Sequence, residues 1–205
     1  MAKMKKTKVI FFGDSITKAG VQKGGYIDCI QKAINDKGKQ NMYELIGAGI
    51  DGNKVYDLYL RMEEDVLAKK PDTVVIYIGI NDVWHKTSGI GTDIEKYEQF
   101  YAAIIRKLQA QKIKIFLCTS SVIGEKNKNA NAQDADLNAY SAVVRKLATQ
   151  FNCSLIDLRK AFSNYEKKNN PEDKEAGILT TDGVHLNDKG NQLVAEEMVK
   201  VLALS

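Results

Sequence analysis

Apolar positions along the chain fall into two alternating rhythms. Near-continuous apolar runs, most of them rich in β-branched residues, occupy 8–12, 43–46, 73–78, 113–119 and 154–158, the form taken by parallel strands buried on both faces. Between them, 26–34, 55–67, 94–108 and 137–151 carry apolar residues at three- and four-residue spacing, which predicts amphipathic helices. A last helix is predicted over about 189–202, with Leu193, Val194, Met198, Val199 and Leu202 on its apolar side. Strand alternating with helix five times over predicts a doubly wound α/β sheet. Segments 122–131 and 163–181 are polar and lack periodicity. Both are read as loops at the carboxyl edge of the sheet, where such folds bind ligands. The second is long for a connection inside a compact domain, which marks it as functional or mobile.

Composition narrows the picture without changing it. A chain of 205 residues suits one domain spanning 1–205. Its 30 basic and 26 acidic residues give a net charge of +4 but are interleaved, unlike the concentrated basic stripe of a nucleic-acid binder. The one local cluster, Lys3, Lys5, Lys6 and Lys8, is read as a frayed basic arm over 1–7. No stretch approaches the ~20 apolar residues of a membrane span. The apolar run after the basic N-terminus is too short for a signal-peptide core, so a cytoplasmic protein is expected. Cys29, Cys118 and Cys153 form an odd, widely spaced set without a Cys-x-x-Cys pair. Buried reduced thiols are expected rather than disulfides or a zinc site.

Chemistry-bearing residues gather just beyond the apolar runs. Gly13-Asp14-Ser15 follows the first, Gly47-Ala48-Gly49 the second and Gly79-Ile80-Asn81-Asp82 the third, while Thr181-Asp182-Gly183-Val184-His185 follows the long polar segment. A serine hydroxyl needs an adjacent base to attack near neutral pH, and imidazole is the usual one. Of the two histidines, His85 and His185, the second has Asp182 three residues before it, a spacing one turn can close so that the carboxylate orients the ring. Ser15 at a helix start, Gly49 and the Asn81 amide would offer three donors to a developing oxyanion. Each residue also has a plain reading: Ser15 as a helix cap, His185 beside Asn187 or Asp188 capping the last helix, Asn81 as a turn residue. Trp84 and His85, directly after the Asn81 turn, are candidates for the substrate pocket or for loop packing. Asp14 and Asp82 are expected to brace their own turns, and Tyr26 to sit in the core.

These blocks in this order resemble the signature blocks of the SGNH hydrolase (GDSL esterase/lipase) superfamily: Phe11-Phe12-Gly13-Asp14-Ser15-Ile16-Thr17, then Gly49, then Gly79-Ile80-Asn81-Asp82, then Asp182-Gly183-Val184-His185-Leu186. The resemblance implies a flavodoxin-like, three-layer sandwich around a five-stranded parallel sheet. It implies Ser15 as nucleophile, His185 as base, Asp182 as its acid, and Ser15 N–H, Gly49 N–H and the Asn81 side chain as the oxyanion hole. It implies small ester substrates, with short acyl or acetyl esters favoured over lysophospholipids and acyl-CoA, and no metal or organic cofactor. Two departures stand out: Ile16 replaces the leucine of the GDSL name, and Gly47 replaces a common asparagine. A rival from another class is a dinucleotide-binding protein, since Gly47, Gly49 and Gly52 spell G-x-G-x-x-G between a strand and a helix. That fingerprint normally occupies the first strand–helix turn, not the second. The G-x-S-x-G elbow of α/β-hydrolases is absent.

Overall fold

The structure, a computed structural model, describes residues 5–202. Five strands, β1 (Thr7–Gly13), β2 (Tyr43–Gly49), β3 (Thr73–Tyr77), β4 (Lys114–Cys118) and β5 (Ser154–Ile156), pair in parallel in the order β2-β1-β3-β4-β5. The chain steps outward from β1 to β2, then crosses back over β1 to β3 and continues to β4 and β5. Right-handed crossovers therefore put the helix after β1 on one face and the later crossover helices on the other. On the first face α2 (Tyr26–Asp36) packs against the C-terminal α8 (Asp188–Leu202). On the second, α5 (Ile94–Ala110) packs between α3 (Val55–Asp65) and α6 (Asp134–Gln150). This is the expected three-layer sandwich with a five-stranded parallel sheet. All five residues of the central β3 are buried, as its continuous apolar run requires.

The register pairs Gly13 with both Gly49 and Tyr77, so β1, β2 and β3 end level with one another. Strand order reverses on either side of β1, making its carboxyl end the switch point of the sheet, beside which a crevice opens. Two short helices leave this edge directly: α1 (Ser15–Gly20) after β1 and α4 (Ile80–Trp84) after β3. Each is too short for a 3.6-residue rhythm to emerge in the sequence.

Several expected boundaries move, each for a physical reason. Strand β5 stops at Ile156, two residues early, because Asp157 turns the chain by accepting the Lys160 N–H at 3.2 Å. Segment 163–181, read as a loop, is helical up to Asn169 as part of α7 (Leu158–Asn169). The inward stripe of α7 is Leu158, Arg159, Phe162 and Glu166; two of the four are ionisable, so no apolar period registered. Strand β2 continues three residues past the apolar run 43–46, through Gly47-Ala48-Gly49, because these residues keep pairing with Phe11, Phe12 and Gly13 of β1. Thr7 begins β1, and Lys5 Nζ lies 3.0 Å from the Asp72 carboxylate; Lys3 lies outside the described residues. All three cysteines are free, and burial pushes the Cys118 thiol well up, which leaves it inert. Among the described residues no helix is long and apolar enough to cross a membrane.

Candidate active site

The turn out of β1 is shaped by Asp14. Its carboxylate accepts the Ile16 N–H at 3.0 Å and caps α1, as expected of a turn-bracing aspartate. Burial pushes this carboxyl up to about 7, against the lowering effect of the Ile16 hydrogen bond. The cap sets Ser15 as the first residue of α1, half-buried, with its Oγ 3.2 Å from His185 Nε2. On the far side of the ring, His185 Nδ1 lies 2.7 Å from Asp182 Oδ2. The other carboxylate oxygen accepts the Val184 and His185 N–H groups at 3.0 and 2.7 Å, so one aspartate holds both the backbone and the ring of His185. Burial raises the Asp182 pKa, but the hydrogen bonds from the His185 ring and from the two N–H groups outweigh it and hold the carboxyl below its ordinary value. The three residues 15, 182 and 185 thus form a continuous hydrogen-bonded line.

The segment carrying Asp182 and His185 has no regular structure, and a buried carboxylate anchors it. Glu125, fully buried, accepts the N–H groups of Ile178, Leu179 and Thr180 at 2.8, 2.6 and 2.7 Å. Beside it, Gly124 N–H donates to Gly183 O at 2.8 Å. Thr180 Oγ1 accepts the Gly183 N–H at 3.0 Å, and Asn187 caps α8 by accepting the Gly190 N–H at 3.0 Å. Sequence reasoning missed Glu125: within a Lys/Asn-rich loop an acidic residue reads as solvated, and only its burial shows otherwise.

Across the cleft, Asn81 is buried at the start of α4, and its Nδ2 donates to Asn53 O at 3.1 Å. An amide nitrogen has two hydrogens, so one remains for a ligand. Gly49 does not meet its expectation. The last ladder bond between β1 and β2 runs from Ile50 N–H to Gly13 O at 3.4 Å. Alternate strand residues turn their N–H groups to opposite sides, so Gly49 N–H faces the outer edge of the sheet, away from Ser15. Its lack of a side chain serves packing instead: a Cβ there would lie 2.2 Å from Lys18 N and 2.5 Å from Asp14 O. At Gly47 it would lie 2.3 Å from Val21 Cγ1. Both glycines therefore face protein, which removes the dinucleotide reading. Gly52 differs: it lies in the turn after β2 with φ 72°, and the space beside its Cα is open.

The Trp84 ring meets His185 edge-on, with centroids 6.1 Å apart, and His85 lies next to Trp84. Burial, and then the Lys54 charge, hold His85 below the ordinary histidine value; no carboxylate orients it as Asp182 orients His185. Asp82 departs from expectation, since both its oxygens reach across to the Val55 N–H that starts α3, at 3.2 Å. Tyr26 is fully buried and donates to Thr17 Oγ1 at 3.0 Å, as expected of a core residue.

The GDSL-like lipase/acylhydrolase family model matches residues 11–193. An acetylxylan esterase of Geobacillus stearothermophilus is 28% identical over 212 residues, covering 94% of this chain and 92% of its own. Among solved structures, the acetyl xylan esterase AlAXEase is 62% identical with a TM-score of 0.93, covering 94% of this chain and 98% of that one. LAE5, an α/β hydrolase from the metagenome of Lake Arreo, Spain, is 26% identical with a TM-score of 0.86, over 100% of this chain and 99% of that one. The chain belongs to the GDSL-like lipase/acylhydrolase family and is a serine-dependent hydrolase of carboxylic esters.

Proposed function

We propose that Ser15 is the nucleophile, His185 its general base and Asp182 the group that orients the imidazole and stabilises the imidazolium. The observation that carries this reading is the hydrogen-bonded line from Ser15 Oγ through His185 to Asp182. As Ser15 Oγ bonds to the ester carbonyl carbon, its proton passes to His185 Nε2 and negative charge moves to the carbonyl oxygen. His185 then returns the proton to the departing alcohol oxygen, leaving an acyl group on Ser15. Water, deprotonated by the same imidazole, releases the acid. The oxyanion is met by Ser15 N–H at the start of α1 and by the free hydrogen of Asn81 Nδ2. A third donor is Gly52 N–H, from the turn whose Asn53 carbonyl holds Asn81.

Acetyl esters of sugars are the proposed substrates. Support comes from the acetylxylan esterase relatives and from Trp84, which stands against His185 as an apolar wall suited to a small acyl group. The segment around 122–131, with two lysines and three asparagines, and the polar stretch 170–175 suit a polar alcohol better than a lipid surface. A cytoplasmic location is supported by the three free thiols. Ser15→Ala should lower turnover by on the order of 10⁴-fold or more, and an organophosphonate should form a single adduct, on Ser15. Acetylated xylo-oligosaccharides and acetyl p-nitrophenyl esters should be turned over with higher kcat/KM than octanoyl esters or acyl-CoA. The reverse order would overturn the substrate assignment while leaving the nucleophile standing.

A further inference from the structure

We propose that Arg61, on α3, is a positioning residue that fixes all three oxyanion donors at once; this rests on the roles of Ser15, Asn81 and Gly52 given above. Arg61 projects from the second turn of α3 under the carboxyl ends of β1 and β2, with only 15% of its side chain exposed. Its Nη2 donates to Gly13 O at 2.7 Å and to Ala48 O at 3.0 Å, the carbonyls at the ends of these adjacent strands. Its Nε donates to Asn53 Oδ1 at 2.7 Å. Asp65 takes Nη1, and the guanidinium carbon stands 4.6 Å from the centre of the Phe12 ring.

Each of these acceptors leads to a donor. Gly13 precedes Ser15 by two residues. Ala48 and Asn53 bracket the segment that contains Gly52. The Asn53 carbonyl also takes the Asn81 amide at 3.1 Å. Gly13 O already accepts the Ile50 N–H, and Arg61 fills its second lone pair. A surface ion pair with Asp65 would need none of this; instead, the planar fork spends its remaining donors on three segments that converge on one point. Only a guanidinium spans such a set, because its N–H groups are fixed in one plane and charge-assisted bonds to carbonyls hold direction well. Lysine would place one point charge and reach one or two of the acceptors.

The test separates transition-state positioning from substrate binding and from bulk stability. R61K is expected to lower kcat by on the order of 10-fold and R61A by on the order of 100-fold, as sub-ångström to 1 Å displacements of reacting groups do. KM should stay within about twofold in both. A small alkylboronic acid, which forms a tetrahedral adduct on a serine Oγ, should lose affinity in proportion to kcat. The pH at half-maximal kcat should not move, because the His185–Asp182 pair does not touch Arg61. Should R61A fail to fold, R61K and N53A, each compared with wild type by thermal melting, carry the same readouts. Wild-type kcat and boronate affinity in R61K would overturn the proposal, as would a raised KM with kcat unchanged. Labelling of wild-type enzyme by an organophosphonate anywhere other than Ser15 would instead overturn the serine mechanism itself.

Discussion

At Asn81, catalysis and architecture make opposite predictions. A donor already fixed in place gains far more from a developing oxyanion than from a neutral ester, and removing one typically costs ~10²–10³ in kcat, about 2.7–4 kcal/mol. Asn81→Ala is therefore expected to depress kcat by that factor with KM little changed, as steady-state kinetics will show. Asn81→Asp should be no better, since it replaces a donor with an acceptor and adds like charge. If Asn81 merely stabilised the first turn of α4, aspartate would serve well there, and retention of more than about half the activity would reject the oxyanion role. Glu166 offers a second residue-scale test. It is buried, its Oε1 has no hydrogen-bond partner, and burial followed by the neighbouring Glu125 pushes its carboxyl up to about 8. The folded state therefore holds a proton that the unfolded chain releases above about 4.5. Stability from this group is complete below that value and is lost as pH rises towards 8. Glu166→Gln, with no proton to lose, should melt higher than wild type at pH 8 by roughly 5 °C, or about 1–3 kcal/mol. The gap should close by pH 4.5; a gap independent of pH would show that Glu166 is not protonated in the fold.

The site joins two elements of opposite character. Ser15 begins α1 and Asn81 lies in the first turn of α4, helices that spring directly from buried strands, whereas Asp182 and His185 ride on an irregular segment anchored by a buried carboxylate. Glu125 fixes three consecutive N–H groups just before Asp182, in place of the ladder that a strand would have supplied. In Glu125→Gln one oxygen remains, while an –NH₂ group faces N–H donors. Amide hydrogen exchange across 176–186 should accelerate while β3 exchanges as slowly as before, and kcat should fall by on the order of 10-fold as His185 loses its place. Unchanged exchange in that segment would show that other contacts hold it. This element scale is also where the sequence was hardest to read. Periodicity reports apolar residues, and both α7 and its neighbour Glu125 bury ionisable groups: Arg159 donates to Asp134 Oδ1 at 2.6 Å in the space beside Glu166. A charged residue satisfied inside the protein has the same letter as one in water.

For the whole molecule, chain order and site order differ. Positions 15, 182 and 185 meet, with 81 at the end of the neighbouring strand, because β1 and β3 are neighbours and the segment before α8 returns over the end of β1. Among the described residues no group of three or more His, Cys, Asp and Glu side chains is placed to hold a metal ion. Dialysis against EDTA should accordingly leave turnover unchanged; loss restored by a divalent cation would count against the serine mechanism. The sequence by itself determined the alternation of strand and helix, the parallel sheet, and the serine, histidine and aspartate that meet in the cleft. Those features are local: buried strands need continuous apolar runs, and Asp182 reaches His185 across a single turn. Only the tertiary structure decided which backbone groups face the cleft. Gly49 and Gly52 are equally good glycines in sequence, but strand register turns the first N–H away from Ser15 and leaves the second in an open turn. It alone also revealed Arg61 and Glu125, because the backbone carbonyls and amides they bind lie between 13 and 55 positions away in the sequence.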